Sequence, residues 1–150
     1  MLYKDKTFTE NELKGQAFEE CEFVNCNFDS TNLRFSSFTN CLFKVCDLSS
    51  SVLDLTSFSE CSFPESKLSN LDFSETKVKT CNFSNSLMKN CMLQQLKIGS
   101  KSEKRKLDLT DSAFEHADLS GTVFFFCNLK GVSFQKSNLE GVVFDRCDLK

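Results

Sequence analysis

A large apolar residue recurs at every fifth position of this chain. It stands at Phe8, Leu13, Phe18, Phe23 and Phe28 and continues without a polar exception to Ile98, nineteen consecutive slots. After a break the series resumes at Leu109 and runs through Phe114, Leu119 and Phe124 to Leu149, nine more. Neither the helical stripe of about 3.6 residues nor the two-residue alternation of a half-buried strand generates this spacing. Fourteen of the 17 phenylalanines occupy the slot; only Phe35, Phe125 and Phe126 stand outside it. A fixed period sustained along 150 residues marks a repeat architecture, in which each unit buries its apolar face only against its neighbours.

The position two before each apolar slot is mostly Cys, Ser, Thr, Ala or Val. All nine cysteines fall there: Cys21, Cys26, Cys41, Cys46, Cys61, Cys81, Cys91, Cys127 and Cys147. Random placement puts only about a fifth of them in that slot, so the thiols belong to the period rather than to a reactive site. Cysteine suits the place as a small, buriable hydrophobe. No CxxC spacing supports a zinc site, and an odd number of thiols cannot all pair within one chain. The start, MLYKDKTF, is charged and lacks the apolar core of an export signal, and no apolar run has the length of a membrane span. A thiol-rich chain of this kind is expected in the reducing cytoplasm.

Several units share a motif. Ala117-Asp118-Leu119-Ser120-Gly121, Cys127-Asn128-Leu129-Lys130-Gly131 and Ser137-Asn138-Leu139-Glu140-Gly141 are full copies, and Cys26-Asn27-Phe28 and Cys81-Asn82-Phe83 match its core. These units resemble those of the pentapeptide repeat family, Ala-(Asp/Asn)-Leu-X-X with Phe often replacing Leu, over about residues 6–150. The resemblance implies an all-β fold, a right-handed quadrilateral parallel β-helix in which each unit forms one side and four units one coil. One such domain is expected over residues 1–150, with about seven coils and a loop or bulge near residues 99–108. Residues twenty apart then stack. Phe18, Phe38 and Phe58 form one column, continued by Val78 and Ile98. Phe23, Phe43, Phe63 and Phe83 form a second, and Leu13, Leu33, Leu53, Phe73 and Leu93 a third. Cys21, Cys41, Cys61 and Cys81 form a ladder beside them. At a strand spacing of about 4.8 Å, seven coils make a rod roughly 34 Å long. Asp and Asn before the apolar slot suit hydrogen bonds to turn backbone. Gly15, Gly121, Gly131 and Gly141 fall at the last unit position, where some turns need positive φ. Pro64 fits a corner. The N-terminal MLYKDKT is expected to cover one end.

From Ile98 to Leu109 the spacing is one residue too long, and the intervening GSKSEKRKLD lacks an apolar residue at the expected place. A one-residue bulge within a coil and a polar loop projecting from a corner both fit. Gly99 and five cations between Lys97 and Lys106 favour the loop. The net charge of −3 is unevenly spread: residues 1–75 sum to −7, residues 76–106 to +7 and residues 107–150 to −3. Loops on rigid scaffolds often carry recognition, which makes Lys101, Lys104, Arg105 and Lys106 candidate partner contacts. Phe125 and Phe126, in the outward positions of their unit, are the candidate aromatic anchor. Phe35 and Leu55, twenty apart, predict a second apolar patch. Glu19, Glu20 and Glu22 head the acidic stretch and complete the set.

Catalytic chemistry finds no support. The single histidine, His116, lies in an outward position without a nucleophile partner, and no glycine-rich phosphate loop is present. No catalytic residue, metal or cofactor is expected. The reading is a non-catalytic protein-interaction scaffold with an unknown partner. The alternative comes from the quinolone-resistance and gyrase-inhibitor branch of the family, whose members mimic DNA and bind type II topoisomerases. The acidic stretch agrees with that branch, whereas the modest net charge, the basic zone and the want of a C-terminal helix depart from it. Acidic flanks on both sides of the basic zone argue against nucleic acid. An uncovered last coil predicts homodimerisation through the C-terminal end, near Phe144 and Leu149.

Overall fold

The computed structural model describes residues 1–94 and 106–150, and in them the period of five becomes the side of a square coil. The strands are β1 (Leu2–Lys4), β2 (Ala17–Glu19), β3 (Glu22–Val24), β4 (Ser37–Thr39), β5 (Leu42–Lys44), β6 (Ser57–Ser59), β7 (Lys77–Lys79), β8 (Met92–Leu93), β9 (Leu107–Asp108), β10 (Val123–Phe125), β11 (Cys127–Asn128) and β12 (Val143–Asp145). Every pairing is parallel. The ladders run β1-β3-β5, β2-β4-β6-β7, β8-β10-β12 and β9-β11, with isolated parallel bridges completing the sides. Before the break the register is twenty: Phe18 pairs with Phe38, Phe38 with Phe58, and Phe58 with Val78. The result is a nearly all-β parallel solenoid of about seven coils. One departure is a single helical turn, α1 (Glu10–Leu13), where the Glu12 carboxylate accepts a hydrogen bond from the Thr9 N–H. Leu13 is still fully buried at the end of that turn.

Two devices recur at the corners. An Asp or Asn one place before the apolar slot accepts the N–H two residues on, as Asn27 does from Asp29 (2.8 Å) and Asp47 from Ser49 (2.9 Å). The last residue of the unit then takes positive φ. Besides the four glycines, nineteen non-glycine residues do so, each near +52° to +63°. The sequence reading identified this conformation only at the glycines. Asn suits it, but Val45, Leu55 and Phe35 are held there against their steric preference by the ladder on either side.

The axis is filled by aromatic columns. Phe23 and Phe43 stack at 4.8 Å, Phe43 and Phe63 at 5.0 Å, and Phe63 and Phe83 at 5.2 Å. Each ring also meets the edge of a ring on an adjoining side, as Phe43 meets Phe38 at 5.2 Å and 65°. Both geometries lie in the attractive range for aromatic pairs. The small slot two residues earlier points inward too. Cys41, Cys61 and Cys81 donate their thiols to the carbonyls of Phe18, Phe38 and Phe58, and Ser66 does the same to Phe43. The slot therefore selects a small donor, which explains the exchange of Cys, Ser and Thr.

The break has a defined register. Asn82 bridges Ala113, Leu87 bridges Asp118, and Leu93 pairs with Phe124, a separation of 31 rather than 20. A one-residue bulge within a coil would have produced about 21, so that alternative does not fit, and eleven residues are surplus to the coil. Residues 95–105, including Ile98, lie outside the described residues. On this side β7 ends one sheet and β9 begins another. Ser112, the rung above Cys81, has a buried hydroxyl with no hydrogen-bond partner among the described residues.

The ends differ from the middle. The N-terminal segment does more than cover an end: β1 is the first rung, and Tyr3 stacks on Phe23 at 5.1 Å. In the last coil Phe134, Phe144 and Cys147 are only partly buried, and Leu139 and Leu149 are 39% and 55% exposed.

Candidate protein-binding surfaces

Because inward slots are filled by apolar and small residues, chemistry-bearing side chains are sorted between an inert interior and outward columns. The thiols belong to the interior. Eight are buried and Cys147 is partly so, and all are free. Burial pushes Cys46 and Cys127 up to about 12 and Cys91 up to about 11, so these thiols stay protonated and unreactive at neutral pH. His116 sits exposed at a positive-φ corner, its backbone N–H donating to the Gln135 carbonyl. Among the described residues no three His, Cys, Asp or Glu side chains converge for a metal ion.

The twenty-residue register gathers the acidic candidates. Glu20 and Glu22 flank one corner, and Glu60 occupies the Glu20 position two coils on. Together with Asn40, Leu42 and Ser62 they line a shallow groove of about 320 Å³ with Cys21 and Cys41 at its base. Glu19 projects beside it from β2 and is exposed. Exposed carboxylates gathered at one corner by the coil spacing create a local negative potential, suited to a cationic partner surface.

The aromatic candidates lie on another side, in the sixth coil. Phe125 and Phe126 are half-buried rather than bare. The Arg146 guanidinium lies 5.7 Å from the Phe125 ring centre, and the Lys106 ammonium 5.4 Å from that of Phe126. Lys106 also pairs with Asp148 at 2.5 Å, which holds that carboxyl below its usual range. The cluster joins three successive coils through cation–π contacts across rather than along the chain. Lys101, Lys104 and Arg105 lie outside the described residues. In the last coil Phe144 is partly buried and Leu149 is exposed.

The fold, its register and its corner chemistry can be set beside known proteins. A family model for pentapeptide repeats matches in eight copies, over residues 12–44, 46–79 and 127–150, well over half of the chain. The chain belongs to the pentapeptide repeat family. No curated protein sequence matches it. Among solved structures this pentapeptide repeat chain is similar to full-length QnrB1, described as a plasmid-mediated fluoroquinolone resistance protein. The TM-score is 0.70 at 18% identity, covering 99% of this chain and 81% of that one. Two trypsin-treated QnrB1 variants give 0.72 at 19% and 20% identity, with 99% of this chain and 80% and 79% of theirs covered. At such identity the likeness establishes a shared fold. No helix among the described residues is long and apolar enough to cross a membrane.

Some neighbours on these pentapeptide repeat faces were not singled out by sequence. Arg34 pairs with Asp54 at 2.9 Å across adjacent coils, and Glu60 joins Glu20 and Glu22. The signal that finds them is separation by twenty or forty residues at one unit position. It becomes useful only once a coil is known to contain four units.

Proposed function

We propose that this pentapeptide repeat chain is a non-catalytic protein-binding rod whose outward columns dock a protein partner. The observation that supports this best is the acidic corner, where the coil repeat presents Glu20, Glu22 and Glu60 as one cluster on a rigid ladder while the thiols are turned inward. Nine free thiols suit a reducing compartment, which we take to be the cytoplasm. Tagged protein is expected to capture a partner from host lysate, with Glu20→Lys/Glu22→Lys/Glu60→Lys binding it more than about tenfold more weakly, because like charges then face each other. Undiminished capture by that variant counts against the acidic corner as the docking site.

The second reading is binding to a type II topoisomerase in place of DNA. It is supported by the same acidic corner and by the fold shared with QnrB1, a fluoroquinolone resistance protein. Under it, micromolar protein raises the fluoroquinolone concentration needed to inhibit gyrase supercoiling, or inhibits supercoiling directly. If neither occurs, this second reading is eliminated and the general protein-binding one stands.

The rod is also proposed to pair with a second copy through its last coil, where Leu139 and Leu149 expose apolar surface that is buried at the same slots one coil earlier. Light scattering at high micromolar concentration is expected to report a dimer for the wild-type chain and a monomer for Leu139→Lys/Leu149→Lys. A wild-type monomer removes the proposal.

A further inference from the structure

Four corner residues at positive φ are large and apolar: Phe35, Val45, Leu55 and Phe126. Asn fills many equivalent corners, including Asn25, Asn40, Asn70, Asn85 and Asn90, because it tolerates that conformation and water together. Phe126 is half covered and faces Lys106, but Phe35 and Leu55 are 59% and 44% exposed. They stand on one edge of adjacent coils, and Val52, 41% exposed, shares their side. Below Phe35 the corresponding corner is Gly15, whose missing side chain leaves open space. Two costs, backbone strain and apolar exposure, therefore coincide twice at one spot.

The surroundings indicate what offsets them. The Arg34 guanidinium donates to Asp54 between the apolar residues, so that pair is self-satisfied. A groove of about 190 Å³ opens beside Leu55, lined by Thr56, Ser57, Glu75 and Lys77. On the next coil the exposed Asp72, which accepts the Ser74 N–H, and the half-buried Glu75 have no ion-pair partner among the described residues, so two carboxylates stand against the single cation Lys77 at one end of the patch. We propose that Phe35, Val52 and Leu55 dock an extended segment of a protein partner that combines an aromatic or branched apolar anchor with a neighbouring Lys or Arg. The anchor lies against the exposed side chains and the groove, and the cation meets Asp72 and Glu75. This rests on the protein-binding reading above but on a different side of the rod from the acidic corner, so each can fail alone.

The test pans a random twelve-residue phage-displayed peptide library on wild-type protein and on Phe35→Asn/Leu55→Asn. Asparagine suits both corners, so the variant is expected to fold and to unfold at a midpoint about 4 °C higher or more. Peptides selected on the wild type are expected to carry an aromatic or branched residue next to Lys or Arg. They should bind the variant at least about tenfold more weakly. The proposal is overturned by peptides that bind both proteins equally, by acidic peptides, or by no wild-type-specific peptide. A lowered midpoint overturns it too, since Phe35 and Leu55 would then be supporting the rod. Wild-type self-association that vanishes in the variant assigns the patch to a second copy instead.

Discussion

Phe43→Ala is expected to cost about 3–5 kcal/mol, a large share of the roughly 5–15 kcal/mol that holds a domain folded. Phe43 is fully buried and stacked between Phe23 and Phe63, with the rings of Phe28, Phe38 and Phe58 edge-on around it. Removing its ring leaves a cavity that cannot collapse, because the backbone on each side is pinned by ladder hydrogen bonds to the coils above and below. Stability in a solenoid is close to a sum of nearest-neighbour contacts, so the loss in the third coil also uncouples the two halves. Phe144→Ala, in the partly exposed last coil, should cost roughly half as much. Urea denaturation followed by circular dichroism measures both. A Phe43→Ala loss no larger than that of Phe144→Ala would contradict a continuous aromatic axis.

The second large effect is a steep loss of stability in alkali. The ordinary thiol value is near 9, whereas burial pushes Cys46 and Cys127 up to about 12 and Cys91 up to about 11. Above pH 9 the unfolded chain releases these protons while the folded chain keeps them. The unfolded state then binds fewer protons, so stability falls as pH rises, at about 1.4 kcal/mol per pH unit for each thiol. Three thiols together approach about 4 kcal/mol per unit near pH 10, less at pH 9 and at pH 11 where Cys91 itself begins to ionise, and their contribution is nearly flat below pH 8. Cys46→Ser/Cys91→Ser/Cys127→Ser separates this from Lys and Tyr titration. Serine already fills equivalent slots, with Ser51 and Ser66 bonded to the carbonyls of Phe28 and Phe43, so the variant is expected to fold. Its unfolding midpoint should depend far less on pH between 9 and 11. Parallel curves for the two proteins would place the thiols in water rather than in the core.

The interior was legible from residue spacing because one slot in five tolerates nothing but a large apolar side chain. Phe23 above Tyr3 and below Phe43, and Cys41 between Cys21 and Cys61, follow once four units make a coil. The surfaces were legible only in part. Phe125 and Phe126 stand out in the sequence as aromatic residues off the axis. That Arg146 and Lys106 lie over their rings depends on side-chain reach between coils, which no linear pattern encodes. Strain at Phe35, Val45 and Leu55 was likewise hidden, since the sequence shows a corner position but not the sign of φ.

By itself the sequence determined the unit, the inward residues and the burial of the thiols, because a period leaves each residue one environment. The order of the columns before the break needed the four-unit coil that the family resemblance implies. Tertiary structure decided three other matters. It set the register of 31 across the break, since only paired backbones on either side show how many residues a coil leaves out. It decided that Leu2–Lys4 join the ladder, because a rung is defined by its neighbour. And it decided which outward residues meet, for groups such as Glu20 and Glu60 become one surface only when separate coils stack a few ångströms apart.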